Sequence, residues 1–181
     1  MNEDILKFNS EFVTKEGYKP FITSKYPDKK IAIVTCMDTR LVELLPAALG
    51  IKNGDVKMIK NAGGVINDPF DSTVRSLLVA IYELGVTEIM IIGHTECGVQ
   101  GMNAQEMIHL MEKRGISHET ISLVERCGID LDKWFKGFDD SHQSVKDSVK
   151  LVRNHPFVPK DVKVDGYIMD STTGELSPLE F

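Results

Sequence analysis

Residues 30–36, Lys-Ile-Ala-Ile-Val-Thr-Cys, constrain this chain more than any other segment, because the run is apolar and β-branched with no polar alternation. A strand with one wet face alternates; one buried on both faces does not, and such strands belong to the parallel sheets of α/β proteins. Residues 56–59 and 87–92 read as two further short strands, and residues 162–169, alternating apolar and polar, as a fourth. A short segment after the turn Ser171-Thr172-Thr173-Gly174 is expected to add an edge strand.

Helical patterns fill the gaps. Residues 41–49 are helical in composition and stop at Gly50. Asp68-Pro69 is expected to start a helix as N-cap and first helical residue, with Val74, Leu77, Leu78, Ile81 and Leu84 on one face and Gly85 closing it. Residues 99–154 read as helical pieces broken at Gly115, Gly128 and Gly137. Asn61-Ala62-Gly63-Gly64 is a tight loop after the second strand. The resulting β-α-β-α-β-(α)n-β order predicts an α/β fold: a parallel-rich central sheet of four to five strands flanked by helices. Residues 1–29 form an N-terminal helical arm, in which Ile5, Phe8 and Phe12 share a helix face, and residues 30–181 the α/β domain.

Composition excludes several classes. With 21 Lys+Arg against 27 Asp+Glu and no basic run, the chain lacks the phosphate-neutralising patch of a general nucleic-acid binder. No apolar stretch approaches the ~20 residues that cross a bilayer, and Asn2-Glu3-Asp4 is acidic where a signal peptide is basic. A cytoplasmic location is expected. Three cysteines in a reducing compartment point to metal binding or catalysis rather than a disulfide framework.

In open α/β sheets ligands bind beyond the carboxyl ends of the strands. Cys36-Met37-Asp38-Thr39-Arg40 follows the first strand and Gly93-His94-Thr95-Glu96-Cys97-Gly98 the third, so Cys36, His94 and Cys97 are expected to converge. Two thiolates and an imidazole suit Zn2+, and three protein ligands with an open fourth position mark a catalytic zinc. Asp38 and Arg40, two apart, point to one side of an extended segment, where an Arg fork can hold the carboxylate beside the metal. Asp38 then serves either as fourth ligand or as the acceptor that orients a zinc-bound hydroxide. Taken singly, each of these residues has an ordinary structural explanation; together, at strand ends assigned without reference to them, they support one another.

These motifs resemble the β-class carbonic anhydrases, most closely the short bacterial and archaeal members. The resemblance runs over residues 31–101 and takes in Cys36-Met37-Asp38-Thr39-Arg40, Lys60-Asn61-Ala62-Gly63, the helix around Arg75 to Gly85, and Gly93-His94-Thr95-Glu96-Cys97-Gly98. The C-terminal half matches loosely. The resemblance implies zinc ligation by Cys36, His94 and Cys97, one ion per subunit, with Asp38 and Arg40 as a catalytic dyad. It implies reversible hydration of CO2 to bicarbonate and a proton, in a homodimer or dimer of dimers whose N-terminal helix lies across the neighbouring subunit. It implies too that Asp38, released by Arg40, can close the site by binding zinc. Thr39, Lys60 and Gly64 depart from frequent family residues without removing a ligand.

Other readings stay open at this level: a carbonyl sulfide or carbon disulfide hydrolase on the same site, or a non-catalytic module with a closed zinc site. A nucleotide cradle at Asn61–Gly64 lacks the required glycine and Gly-Lys spacing. Val65 and Ile66 are candidates for a CO2-pocket wall, although core packing is their commoner fate. His109, His118, His142 and His155 are proton-shuttle candidates by residue type, with nothing in their spacing to single one out. Cys127 reads as a free thiol, and Trp134, Phe135 and Phe138 as a local cluster sealing the helical region.

Overall fold

β1 (Ile31–Cys36) runs through the middle of a sheet, with Ala32, Ile33 and Val34 wholly buried, as its unbroken apolar sequence requires. In the computed structural model, which describes residues 2–181, β1 is flanked by β2 (Val56–Asn61) and β3 (Glu88–His94), and β3 by β4 (Lys163–Met169), all parallel. β5 (Leu176–Pro178) joins β4 antiparallel, giving the order β2-β1-β3-β4-β5. The expected parallel-rich α/β sheet is thus found, with five strands.

Successive β1 side chains feed opposite faces of the sheet. Ala32 and Val34 join Ile89 and Ile91 of β3 under α3 (Ser72–Tyr82) and α7 (Ser141–Arg153), whose Val74, Leu77, Val145 and Val149 are buried there. Ile33 joins Ile92, Met169, Leu41 and Leu45 on the other face, beneath α2 (Leu44–Ala48). Gly93 and Gly166 let α7 approach closely: a Cβ would lie 2.7 Å from Val145 at Gly93 and 2.8 Å from it at Gly166.

Four further helices complete the chain: α1 (Asn2–Thr14), α4 (Ala104–Lys113), α5 (His118–Arg126) and α6 (Leu131–Trp134). Gly115 and Gly128, at φ 93° and 91°, follow α4 and α5 as the breaks expected there. α1 buries none of its residues, and Ile5, Leu6 and Phe8 are each more than 60% exposed. No helix among the described residues is long and apolar enough to cross a membrane.

Several boundaries differ from expectation. α3 starts at Ser72, capped by Asp71, whose carboxylate accepts from Val74 N at 2.7 Å. Asp68 instead accepts from Phe70 N and closes a turn around Pro69. Both aspartates are competent caps, and the boundary falls where Val74 and Leu77 meet the sheet. The segment expected as one helix over 41–49 splits into a 3-10 turn, Thr39–Leu41, and α2, because Asp38 caps the turn by accepting from Arg40 N. β2 and β3 run two residues further than their apolar runs, to Asn61 and His94, because ladder pairing continues through Cys36–Asn61 and His94–Met169.

Candidate metal centre

The strand extensions carry the site. Cys36 ends β1, His94 ends β3, and Cys97 follows one turn later; all three are at least 95% buried. The two strand ends are locked together by the buried Thr35 hydroxyl, which donates to Ile92 O at 2.9 Å. Below them lies the 62–64 turn. Met37 N donates to Asn61 O at 2.8 Å, while the Asn61 amide donates to Val65 O and Thr73 Oγ1 and its oxygen accepts from Val65 N. Gly64, at φ 65°, presses on the end of β1, and a Cβ there would lie 2.7 Å from Cys36 N. Only glycine meets both demands without strain.

The donor atoms fit a metal. Cys36 Sγ and Cys97 Sγ are 3.9 Å apart, close to the ~3.8 Å between two sulfurs bound at ~2.3 Å to a tetrahedral zinc. The ligand atoms of Cys36, His94 and Cys97 all lie within 4.8 Å of one another. His94 Nδ1 faces the Thr95 carbonyl at 2.8 Å. A carbonyl only accepts, so Nδ1 carries the proton and Nε2 presents a lone pair. That Nε2 is buried with no hydrogen-bond partner, a costly state that a metal ion relieves. Burial pushes the Cys36 thiol up, but the His94 ring, the Asp38 and Gly63 backbone and the Cys97 thiol outweigh it and bring it down to about 7. Burial and the Cys36 charge push Cys97 the other way. One thiol is thus readied as a thiolate donor, and the other ionises readily only with a cation present.

Asp38 is turned aside. Its carboxylate receives Arg40 Nε at 3.0 Å, a terminal guanidinium nitrogen at 2.9 Å and Arg40 N at 2.9 Å. These bonds hold the carboxyl down to about 2. Its nearer oxygen is 3.9 Å from His94 Nε2, beside the donor set but not aimed at it. Arg40 is held from its far side by Glu96: the Glu96 carbonyl accepts at 2.9 Å and its carboxylate at 3.2 Å. Residue 96 adopts a left-handed backbone, φ 54°, uncommon for a residue other than Gly, Asn or Asp.

The five residues singled out from sequence, Cys36, Asp38, Arg40, His94 and Cys97, are therefore neighbours in space. Others are elsewhere. Of the two candidate pocket-wall residues, Ile66 lies in the core, its N donating to the Ser148 hydroxyl at 3.0 Å, and Val65 is half-buried. His155 is buried with both ring nitrogens engaged, by Pro69 O and Phe157 N, which fixes it as a structural residue; His109, His118 and His142 are exposed. The expected aromatic cluster divides: Trp134 and Phe135 are in contact with Trp134 on the surface, whereas Phe138 packs with Cys36 and Cys97 and against Gly63. Cys127 is an exposed free thiol. Sequence reasoning passed over Glu96, which sits inside the His-x-x-Cys motif. An acidic residue at that turn was its only signal.

Residues 31–176 match the family model described as carbonic anhydrase. YtiB of Bacillus subtilis (strain 168), which carries a provisional carbonic anhydrase name, is 49% identical over 96% of this chain and 92% of its own. Carbon disulfide hydrolase of Acidithiobacillus thiooxidans is 32% identical over 85% of this chain and 79% of its own. Among solved structures, β-carbonic anhydrase isoform I of Trichomonas vaginalis is 39% identical, with a TM-score of 0.88 over 98% of this chain and 96% of that one.

Proposed function

This chain belongs to the β-carbonic anhydrase family, and from that premise we propose that it catalyses the reversible hydration of CO2 to bicarbonate and a proton with one zinc ion per subunit. The observation that carries the reading is the buried Cys36–His94–Cys97 set with a free His94 lone pair and Asp38 drawn off it by Arg40. Cys36, His94 and Cys97 would hold the metal. Zinc, when bound, supplies Lewis acidity that brings the pKa of a water down toward neutrality.

The remaining work belongs to the chain. Asp38, ionised across the working pH range, presents a hydrogen-bond acceptor beside the donor set and would accept the proton of a water or hydroxide bound there. Arg40 fixes that carboxylate in one place, which matters because small misplacements of a reacting geometry cost large factors in rate. Phe138 and Val99, packed with Cys36 and Cys97, exclude water from the back of the site, where an apolar substrate is best accommodated. The two cysteines have to stay reduced to act as ligands, which suits the cytoplasm. α1, with Ile5, Leu6 and Phe8 exposed, is assigned to a second copy of the chain in a homodimer, or a dimer of dimers.

Stopped-flow CO2 hydration on protein of measured zinc content tests the proposal. Two thiolates leave the metal less acidic than three imidazoles would, so the rate is expected to rise from neutral to alkaline pH. Asp38→Ala is expected to keep its zinc and lose on the order of tenfold to a hundredfold in rate. Zinc lost along with the rate would instead assign Asp38 to a closed structural site. The similarity to carbon disulfide hydrolases favours one second reading, and an inactive, zinc-loaded protein that turns over carbon disulfide or carbonyl sulfide would establish it.

A further inference from the structure

Glu96 reaches the site only through Arg40, and does so twice. The guanidinium donates to the Asp38 carboxylate on one side and to the Glu96 carbonyl and carboxylate on the other. Arg40 belongs to the turn after β1 and Glu96 to the turn after β3, so the bonds cross the mouth of the site from one strand end to the other. Asp38 is only 16% exposed and is tied to Arg40 N, but the Arg40 side chain is 39% exposed, and without a far-side partner Asp38 alone would set its position. The second anchor is what gives the pair a fixed position. The left-handed backbone at residue 96 is where the turn delivers both acceptors together.

We propose that Glu96 is a positioning residue: by clamping Arg40 it holds the Asp38 carboxylate off the Cys36–His94–Cys97 set and keeps the fourth coordination position open. The proposal rests on the metal-centre reading above. Among the described residues Asp38 and Glu96 are the only side-chain partners of Arg40, so the Glu96 carboxylate is the one part of the far-side anchor that a substitution can remove, the residue-96 carbonyl being backbone. The Glu96 side chain is 77% exposed, so solvent screens its pair with Arg40 and a shift of only a few-fold in the open population is expected.

The test is titration of cobalt-loaded protein with azide, an anion that takes an open coordination position, followed in the visible absorption of the metal. Removing the carboxylate arm of the clamp, with the backbone carbonyl of residue 96 retained, lowers the open fraction and weakens apparent azide affinity in proportion. Glu96→Ala is expected to weaken azide about threefold, with Glu96→Gln, which retains an acceptor oxygen, falling between it and the wild type. Removing a negative charge by itself would tighten anion binding, so the direction of the change separates the two causes. In an Asp38→Ala background the weakening should vanish, because the clamp acts through Asp38. Unchanged or tighter azide binding in Glu96→Ala, or weakening that survives Asp38→Ala, would overturn the proposal. Absence of CO2 hydration in a wild type that binds azide and shows the Glu96 effect would overturn only the assigned substrate.

Discussion

His94 owes its role to its neighbour's carbonyl. With Nδ1 committed to Thr95 O, the ring has one tautomer and one direction for its lone pair. His94→Ala and Cys36→Ser should therefore both abolish stoichiometric zinc, read by metal analysis after dialysis against a weak chelator, while Cys127→Ser should retain it. Protons compete with the metal for the thiols. Cys36 titrates near 7 and Cys97 higher, so zinc affinity should climb steeply as pH rises from 6 to 8 in competition titrations. Asp38 works in the opposite range. Its carboxyl falls from 3.8 to about 2 on folding, so it favours the folded state fully above about pH 4, and that contribution is lost as pH drops toward 2. Metal-free Asp38→Asn should then show a Tm deficit at pH 5 that shrinks on acidification. The convergence of Cys36, His94 and Cys97 was legible because side chains of those types are scarce and fell at strand ends. Glu96 was not, because acidic residues on turns are common and its partner lies in another strand's turn.

At the level of elements, the 62–64 turn is the piece on which the centre leans. Its sequence announced a tight turn, but not that Gly64 lies under Cys36 N, since that contact joins β1 to the far end of β2. Gly64→Ala should cost about 2–3 kcal/mol, from the left-handed backbone and the collision with β1 together, and should weaken zinc as well as lower Tm. On the opposite face of the sheet, Ser148 of α7 satisfies the Ile66 amide across a buried gap. Ser148→Ala leaves that donor unpaired and should cost about 1–3 kcal/mol in denaturant unfolding, with zinc affinity unchanged. The helices and strands were readable from apolar spacing; their last two residues were not. There the side chains turn functional while the backbone goes on pairing, so Asn61 and His94 look like loop residues in sequence and are strand residues in space. The start of α3 was misplaced by one turn for a related reason: two aspartates offered a cap, and packing of Val74 and Leu77 chose between them.

Over the whole molecule, the sheet order places β2 at an edge and α1 outside the core. A 13-residue helix with no buried residue is near the length at which isolated helices are marginal in water, so α1 needs a surface that a single copy leaves it without. In the proposed homodimer, Phe8→Glu is accordingly expected to shift sedimentation toward monomer and to lower the helical circular dichroism together. The arm's apolar face was visible in the spacing of Ile5, Phe8 and Phe12; that Phe12 packs on Phe21 while Ile5 and Phe8 stay exposed was not, because burial depends on the rest of the fold. The same parallel topology sets the order of events when the chain is made. Cys36 leaves the ribosome well before His94 and Cys97, and the three donors cannot meet until the β1–α3–β3 crossover has closed, a long-range pairing of the slow kind. Metal capture at these three donors would thus be a late event that reports completed topology rather than a local hairpin that seeds it. In refolding, the thiolate-to-cobalt charge-transfer band should lag the far-ultraviolet helical signal, and a chelator added early should leave the folding rate unchanged.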